Sequence, residues 1–267
     1  MQPEYKTFDH RTMINLNHKT FGQGDPIVIL HGLFGTLDNW QSLGKQLADN
    51  HTVYLADQRN HGRSPHHDDI DYPSMAEDLL YFLESNWMFK THLIGHSMGG
   101  KTAMQFALLH PDMVDKLVVI DIAPKLYPPG HQEIFDALRS LDLKNLDGRN
   151  EADEQLKARI PDYAIRQFLL KGLTRTKQGH YRWKMNLDSL YHNYDNLLAP
   201  PEADAPYEGK ALFIRGGNSP YVQEEDIGLI YNWFPNARVE TIAGAGHWVH
   251  VDKGEELLEL IRSFIDS

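Results

Sequence analysis

The segment GHSMGGKT, residues 95–102, comes directly after the apolar run THLIG (91–95) and directly before a stretch with helical spacing. Its first five residues fit G-x-S-x-G, a strand-to-helix turn that lifts a serine hydroxyl clear of a sheet. All eight residues also fit G-x-x-x-x-G-K-[ST], a loop whose backbone cradles phosphates. Both motifs need a buried strand before them and a helix after them. The segment alone therefore leaves open a nucleophilic serine and a nucleotide-binding loop.

Short apolar runs, each stopped by glycine or polar residues, recur on both sides of this segment. Such runs are typical of strands that are buried on both faces of a parallel sheet. Between them lie helical spacings at 74–86, at 101–110 and at the C-terminus. The alternation predicts an α/β fold with a mostly parallel twisted sheet and helices on both faces. The predicted strands are 27–30, 52–57, 91–95, 116–121, 210–216 and 239–244.

Two parts of the chain depart from this alternation. The first twenty residues alternate weakly, from Tyr5 and Phe8 to Phe21, and break at 22–26, which predicts an N-terminal hairpin. From about Pro128 to Tyr207 the pattern is helical, charged and aromatic, with no predicted strand. We therefore expect an α/β core at 1–127 and 207–267, with an inserted helical cap subdomain at 128–206.

Composition excludes several classes of protein. The chain has 267 residues, of which 41% are hydrophobic and 24% charged, as in ordinary globular proteins. The net charge of −11 argues against a nucleic-acid partner, and the lack of cysteine excludes thiolate catalysis. No apolar run approaches the roughly 18 residues that a membrane span needs. The N-terminus, MQPEYKTFDHR, lacks the apolar core of a secretory signal, so the expected location is cytoplasmic.

The rest of the chain favours the nucleophilic serine. HGLFG (31–35) follows a predicted strand, where a turn would present backbone N–H groups to a developing oxyanion. GAGHWVH (244–250) follows the last predicted strand, and its glycines form a turn that leads to His247. A nucleotide-binding loop would need neither feature. We therefore interpret Ser97 as a nucleophile, His247 as its general base and Lys101 as an ordinary residue of the following helix.

The position of the third catalytic group stays open at this point. The loop RGGNSPYVQEED, which follows the strand after the cap, carries no carboxylate at Asn218, Ser219 or Pro220. Asp121 ends the strand before the cap, at the edge of the predicted sheet. Glu224, Glu225 and Asp226 come later and look like the first turn of a helix, where acids suit the helix dipole.

Several motifs together resemble the YbfF-type esterase group of the α/β-hydrolases. They are HGLFG, DQRNHGRS (57–64), GHSMGG, IDIAP (120–124), GGNSPYV (216–222) and GAGHWVH, and the resemblance runs from residue 25 to the C-terminus. It implies a serine esterase that acts on small acyl esters, and also on acyl-CoA thioesters, without a cofactor or metal. It implies Asp121 as the acid, and a structural polar network for Asp57 and Arg59.

The expected mechanism is acyl transfer by Ser97, His247 and Asp121 on short- to medium-chain esters. The backbone N–H groups of Met98 and Leu33 are the expected oxyanion donors, with Leu33 preferred to Phe34. His31 is expected to form structural hydrogen bonds beneath that turn. Carbon–carbon bond hydrolysis, perhydrolysis and a binding module without turnover remain alternatives, because fold and triad do not determine a substrate.

The cap carries a local excess of basic residues at 166–184, with no acid among them. One hypothesis is that Lys171 and Arg175 contact an anionic group of the substrate, such as the phosphates of coenzyme A. The interpretation that we favour is a solvated helix whose cations pair with Glu151, Asp153 and Glu154. Oligomeric state cannot be inferred from the sequence.

Overall fold

The computed structural model describes residues 13–267 of the chain. Seven of their strands are β1 His18–Phe21, β2 Asp25–Leu30, β3 His51–Ala56, β4 Thr91–His96, β5 Val114–Ile120, β8 Lys210–Gly216 and β9 Ala237–Ile242. These seven form one sheet in the order β1-β3-β2-β4-β5-β8-β9. Every neighbouring pair is parallel except β1 with β3.

The register of the parallel strands brings their carboxyl ends to one edge of the sheet. Leu30 on β2 lies beside Gly95 on β4, and Ile120 on β5 lies between His96 on β4 and Ile214 on β8. The loops that follow these strands therefore meet at one place. In open α/β sheets, ligands bind at this carboxyl edge.

Helices cover both faces of the sheet, as the sequence predicts. They are α1 Gln41–Leu47, α2 Tyr72–Ser85, α3 Met98–Leu109, α9 Ile227–Trp233, α10 Val249–Asp252 and α11 Gly254–Ile265. Leucines and aromatics of α2, α3 and α9 pack against one face, and those of α1 and α11 pack against the other. The alternating apolar runs and helical spacings therefore specify the layered fold correctly.

The expected N-terminal hairpin is wrong. Strand β1 pairs with β3, with His18 opposite Ala56, while β2 lies on the other side of β3. The turn between β1 and β2 passes the start of β3, where a Cβ at Gly22 would lie 2.3 Å from the carbonyl oxygen of His51. This close approach needs glycine, and it separates the two strands. Tyr5 and Phe8 of the predicted pattern lie outside the described residues.

The segment between β5 and β8 is mainly helical and lies above the carboxyl edge. It contains α4 Gln132–Arg139, α5 Arg149–Lys157, α6 Tyr163–Leu170, β6 Leu173–Arg175, β7 Tyr181–Trp183, α7 Leu187–His192 and α8 Tyr194–Leu198. The expectation that it holds no strand is wrong, because β6 and β7 pair as an antiparallel hairpin. Its apolar side chains pack with Phe34, Tyr72 and Met98 of the sheet layer. The division into core and cap at 128–206 stays a prediction.

A buried polar network braces the loop that follows β3. Asp57 accepts hydrogen bonds from the backbone N–H of Leu37, at 2.8 Å, and from that of Arg63, at 2.9 Å. Arg59 forms a buried ion pair with Asp78 of α2, with Nε 2.6 Å from Oδ2. The structural role expected for Asp57 and Arg59 is confirmed.

Within residues 13–267, no helix combines the length and the apolar character that a membrane span requires.

Candidate active site

Ser97 lies in the tight turn between β4 and α3. Its backbone has φ 53° and ψ −119°, a strained conformation for a residue with a side chain. A Cβ at Gly95 would lie 2.2 Å from the carbonyl oxygen of Gly99, and one at Gly99 would lie 2.5 Å from that of Leu30. Glycine is therefore required on both sides of the serine, which explains the G-x-S-x-G spacing physically.

Three side chains from three separate loops form a continuous hydrogen-bonded chain at this turn. The Oγ of Ser97 lies 3.0 Å from Nε2 of His247, and Nδ1 of His247 lies 2.7 Å from Oδ2 of Asp121. Asp121 is fully buried, and its backbone has a positive φ of 52°. Since Oδ2 of Asp121 accepts from Nδ1–H, Nε2 is free to accept the serine proton.

The carboxylate of Asp121 has two further donors. The backbone N–H of Gly216 donates to Oδ1 at 2.9 Å, and the hydroxyl of Ser219 donates to Oδ2 in a short hydrogen bond. The loop after β8 thus contacts Asp121, the partner of His247. It contributes a hydroxyl donor and no carboxylate. The role of Ser219 was missed in the sequence analysis, because only the tertiary contact reveals it.

The alternative acids at 224–226 have other partners. Glu224 pairs with Arg215 at 2.8 Å, and Asp226 pairs with Lys125 at 2.6 Å. Glu225 is exposed to solvent. Among the described residues, the carboxylate within hydrogen-bond distance of the His247 ring is that of Asp121.

The ring of His247 lies between two other rings. The Tyr221 ring stacks on it with centroids 3.8 Å apart and planes at 15°, and His96 lies at 4.8 Å. Nε2 of His96 lies 2.8 Å from the backbone carbonyl of His247. Burial lowers the pKa of His96 well below its ordinary value, so a neutral His96 donates one proton to this carbonyl. In the sequence, His96 lies in the motif GHSMGG and Tyr221 lies in the motif GGNSPYV.

Backbone donors for an oxyanion are available beside Ser97. Met98 is the first residue of α3, so its N–H has no partner within the helix. The N–H of Phe34 donates instead to Nε2 of His61, at 3.3 Å. Among the hydrogen bonds of the described residues, none uses the N–H of Leu33. Leu33 also lines the space in front of Ser97, which favours it over Phe34 as the second donor.

His31 has partners for both ring nitrogens. Its Nδ1 lies 2.8 Å from the carbonyl oxygen of Gly32, and its Nε2 accepts from the N–H of Gln58 at 3.1 Å. Burial lowers its pKa. The expected structural role of His31 is confirmed.

Two cavities meet at Ser97 and share Leu33, Gly130, His131 and Tyr221 in their walls. The first, which we call the Met98 cavity, has a volume of about 380 Å³ and extends behind the serine. Its walls include Met98, Ile122, Tyr72, Tyr127, Leu197, Lys101 and Lys125. The second, which we call the His247 cavity, has a volume of about 500 Å³. Its walls include His247, Trp248, His250, Ile165 and Phe168.

The basic residues of the cap lie elsewhere. Neither Lys171 nor Arg175 lines either cavity. Arg175 donates to the backbone carbonyl of Asp147 at 3.2 Å and lies over the ring of Tyr181. Arg166 pairs with Asp153 at 2.8 Å, as expected for a cap helix paired with the acidic stretch. Lys171 acts electrostatically on His250 in the wall of the His247 cavity, and contact of Lys171 or Arg175 with an anionic group of the substrate stays a prediction.

Two further expectations concern Lys101 and metal ligands. Lys101 is not an ordinary helix residue, because its side chain is buried and lines the Met98 cavity. Its Nζ donates to carbonyl oxygens at the end of α8 rather than facing the turn as a phosphate ligand. Within the part of the chain that the structure describes, no group of three or more acidic or histidine side chains could hold a metal ion.

Comparison with known proteins gives consistent matches. The family model for the alpha/beta hydrolase fold matches residues 25–254. The chain is 41% identical over 252 residues to an sn-1-specific diacylglycerol lipase of Xenopus tropicalis, covering 91% of this chain and 79% of the lipase. It is 40% identical over 242 residues to esterase YbfF of Escherichia coli strain K12, covering 90% and 93%. A solved marine microorganism esterase matches with a TM-score of 0.92 and 44% identity, covering 94% of this chain and 99% of the other.

Proposed function

This chain belongs to the α/β-hydrolase family, with esterases and lipases as its relatives, and we propose that it cleaves short- to medium-chain acyl esters with Ser97, His247 and Asp121. The observation that carries the proposal is the hydrogen-bonded chain from Ser97 Oγ through His247 to buried Asp121, at a strained turn between two cavities. A hydroxyl beside a base, which is itself oriented by a third group, is the arrangement that nucleophilic catalysis requires.

The chemistry follows in two steps. His247 takes the proton of Ser97 as the oxygen attacks the ester carbonyl, and Asp121 stabilises the imidazolium that forms. The N–H groups of Met98 and Leu33 donate to the oxyanion. The imidazolium then protonates the leaving alcohol, and an acyl-enzyme remains on Ser97. Water, deprotonated by His247, attacks this acyl-enzyme and releases the acid by the same route.

The two cavities suggest where each half of the ester binds. His247 must deliver a proton to the alcohol oxygen, so the alcohol has to leave on the His247 side. The His247 cavity is lined by that residue, whereas the Met98 cavity is not. We therefore place the acyl group in the Met98 cavity, whose mostly apolar walls and volume suit a chain of short to medium length.

Oxygen esters are the substrate class that we favour over acyl-CoA thioesters. A thioester would react through the same atoms, and its acyl group would occupy the same cavity. The cap cations predicted to contact the phosphates of coenzyme A do not line either cavity. The two classes are compared by measuring kcat/KM for butyryl-CoA and for p-nitrophenyl butyrate with the same preparation.

The first experiment measures hydrolysis of p-nitrophenyl esters from acetate to decanoate. Ser97→Ala should reduce kcat by about 10⁶-fold and Asp121→Asn by about 10⁴-fold, since the first removes the nucleophile and the second leaves His247 in the wrong tautomer. Glu225→Gln serves as the matched control, because Glu225 is an exposed acid among the alternative candidates at 224–226. Wild-type rates in Asp121→Asn with loss in Glu225→Gln would disprove the assignment of the acid.

A further inference from the structure

Lys101 is a buried cation in the wall of the proposed acyl site. It lies one turn after Ser97 on α3 and is only 1% exposed. Its Nζ donates to the carbonyl oxygens of Leu198, at 2.8 Å, and Ala199, at 2.6 Å. The same atom lies 4.8 Å from the ring centroid of Tyr127 and 5.5 Å from that of Tyr72. Two carbonyls and two aromatic faces thus surround the ammonium group.

These neighbours are all neutral. Among the described residues, no carboxylate pairs with Lys101, and the nearby Lys125 is itself paired with Asp226. An ammonium group has three N–H donors, of which Lys101 uses two on the carbonyls. Burying a charge without a counter-ion is unfavourable, because carbonyls and aromatic rings replace only part of its hydration. Lys101 therefore has an unused N–H donor with which it can bind an anionic ligand in the cavity.

The phenols beside it do not supply that partner. The hydroxyl of Tyr72 donates to the carbonyl of Leu197 at 2.7 Å, and that of Tyr127 donates to the carbonyl of Tyr221 at 2.7 Å. Burial raises the pKa of both phenols far above neutrality, so both stay uncharged. A negative charge beside Lys101 would therefore have to come from a molecule in the cavity.

We propose that the Met98 cavity binds acyl groups that carry a carboxylate at their far end, and that Lys101 is the residue that recognises it. The preferred substrates are then mono-esters of short dicarboxylic acids. The inference rests on the proposed function, because it needs the acyl group to occupy the Met98 cavity. The apolar walls contact the methylene linker, and the unused N–H of Lys101 donates to the carboxylate.

Lys101 also holds the end of α8, and this provides the competing explanation. Its two carbonyl partners are the last residue of α8 and the residue after it, so the side chain fastens the segment above the sheet to α3. A purely structural role predicts that removing the charge harms all substrates alike. A recognition role predicts loss that is specific to substrates with a carboxylate.

The test compares kcat/KM for the monomethyl and dimethyl esters of succinate, glutarate and adipate, followed by proton release. Wild type should prefer the monomethyl ester of at least one acid by tenfold or more. Lys101→Met should lower kcat/KM for that monoester by about 10- to 100-fold, mainly through KM, as expected for one charge-assisted hydrogen bond. Any loss of kcat/KM for the diester, which reports the broken contacts with α8, should be at least tenfold smaller. Lys177→Met, in an exposed cap lysine, is the control and should change neither.

Equal losses on both esters would overturn the proposal in favour of the structural role, and so would a wild-type preference for every diester. Failure of the proposed function would look different. In that case wild type would hydrolyse neither ester, or Ser97→Ala would keep the activity.

A second measurement uses wild type alone and remains decisive if Lys101→Met does not fold. Burial, with a smaller contribution from Lys125, lowers the pKa of Lys101 to about 7. Besides Lys125, the titratable groups that line the cavity with it are Tyr72, Tyr127, Tyr194, Tyr221 and His131. Burial raises the pKa of the four phenols and lowers that of His131 to about 4. Lys101 should therefore lose its proton as pH rises through about 7.

The ratio of kcat/KM for the monoester to that for the diester isolates this change. The chemical steps at Ser97 are common to both esters, so the pH dependence of these steps cancels in the ratio, and the substrate carboxylate stays ionised between pH 6 and 9. We expect the ratio to fall at least tenfold over this range as Lys101 becomes neutral. A constant ratio would reject recognition by Lys101.

Discussion

At the scale of single residues, two of the five positive φ angles found outside glycine in residues 13–267 belong to candidate catalytic residues. Ser97 and Asp121 both have positive φ angles, which are unfavourable for residues with side chains. Both follow strands at the carboxyl edge, where the turn must aim a side chain toward His247. Strain of this kind persists where surrounding packing enforces it, and it is concentrated at functional sites.

Ser219 allows a test of how Asp121 is held. Its hydroxyl donates to the same carboxylate oxygen that faces His247. Ser219→Ala removes one hydrogen bond to a charged acceptor and should lower kcat on p-nitrophenyl butyrate by about tenfold, since such bonds contribute about 1.5–3 kcal/mol at most. Ser140→Ala, in an exposed serine at the end of α4, is the control. Full activity in Ser219→Ala would show that Gly216 alone is sufficient to orient the carboxylate.

At the scale of elements, the turn between β4 and α3 depends on close backbone packing. A Cβ at Gly99 would lie 2.5 Å from the carbonyl oxygen of Leu30 and 2.6 Å from that of His31. These are backbone atoms of a buried strand and its following turn, so they have little freedom to move. Close packing here also explains why α3 begins directly after the serine.

Gly99→Ala should therefore reduce the free energy of unfolding by about 1–3 kcal/mol, as overpacking of a buried site does. The measurement is urea denaturation at pH 7.5. Gly228→Ala, in α9, is the control, because its added Cβ would meet no heavy atom within 4 Å apart from its chain neighbours and the backbone of its own helix. That variant should be unchanged or stabilised by up to about 1 kcal/mol. Equal stability of the two variants would contradict the steric argument.

Short edge elements are where the sequence was least informative. The six strands predicted from apolar runs are all present. In β2, β4, β5 and β8, burial on both faces demands continuous apolar residues. Strand β1, with the sequence HKTF, and the three-residue strands β6 and β7 carry no such run. Their pairing depends on which neighbour the fold presents, and no local pattern encodes that.

At the scale of the whole molecule, an unusual number of histidines are buried around the site. Burial lowers the pKa of His31 and His96, that of His61 to about 3, and those of His131 and His250 to about 4. In the unfolded chain each should titrate near 6.5. Between pH 6.5 and about 4 the unfolded state therefore binds more protons than the folded state, and stability must fall as pH falls.

We expect the free energy of unfolding to be maximal above pH 6.5 and to decrease steeply toward pH 4.5. Each histidine that binds a proton only in the unfolded state adds about 1.4 kcal/mol per pH unit to the slope. Urea denaturation at pH 7.5, 6.0 and 5.0 measures how the free energy of unfolding changes with pH.

His250→Phe should reduce that slope by about one proton. The change keeps a ring against Trp40, on which His250 stacks at 4.4 Å, and removes a titrating group. His192→Gln, in an exposed histidine, should leave the slope unchanged. Constant stability of wild type from pH 7.5 to 5.0 would disprove the argument.

The sequence alone specifies the layered α/β fold and the turn that carries Ser97, and its glycine turn at 244–246 marks His247 as the expected base. These features are local, because the spacing of buried residues and the positions that require glycine can be read from consecutive residues. Only the tertiary structure brought Asp121 rather than the acids at 224–226 to His247, joined Ser219 to that carboxylate, and buried Lys101 in a cavity. Each of these contacts joins residues about a hundred positions apart. Their formation depends on how the loops and the cap segment pack over the sheet edge, which no local pattern specifies.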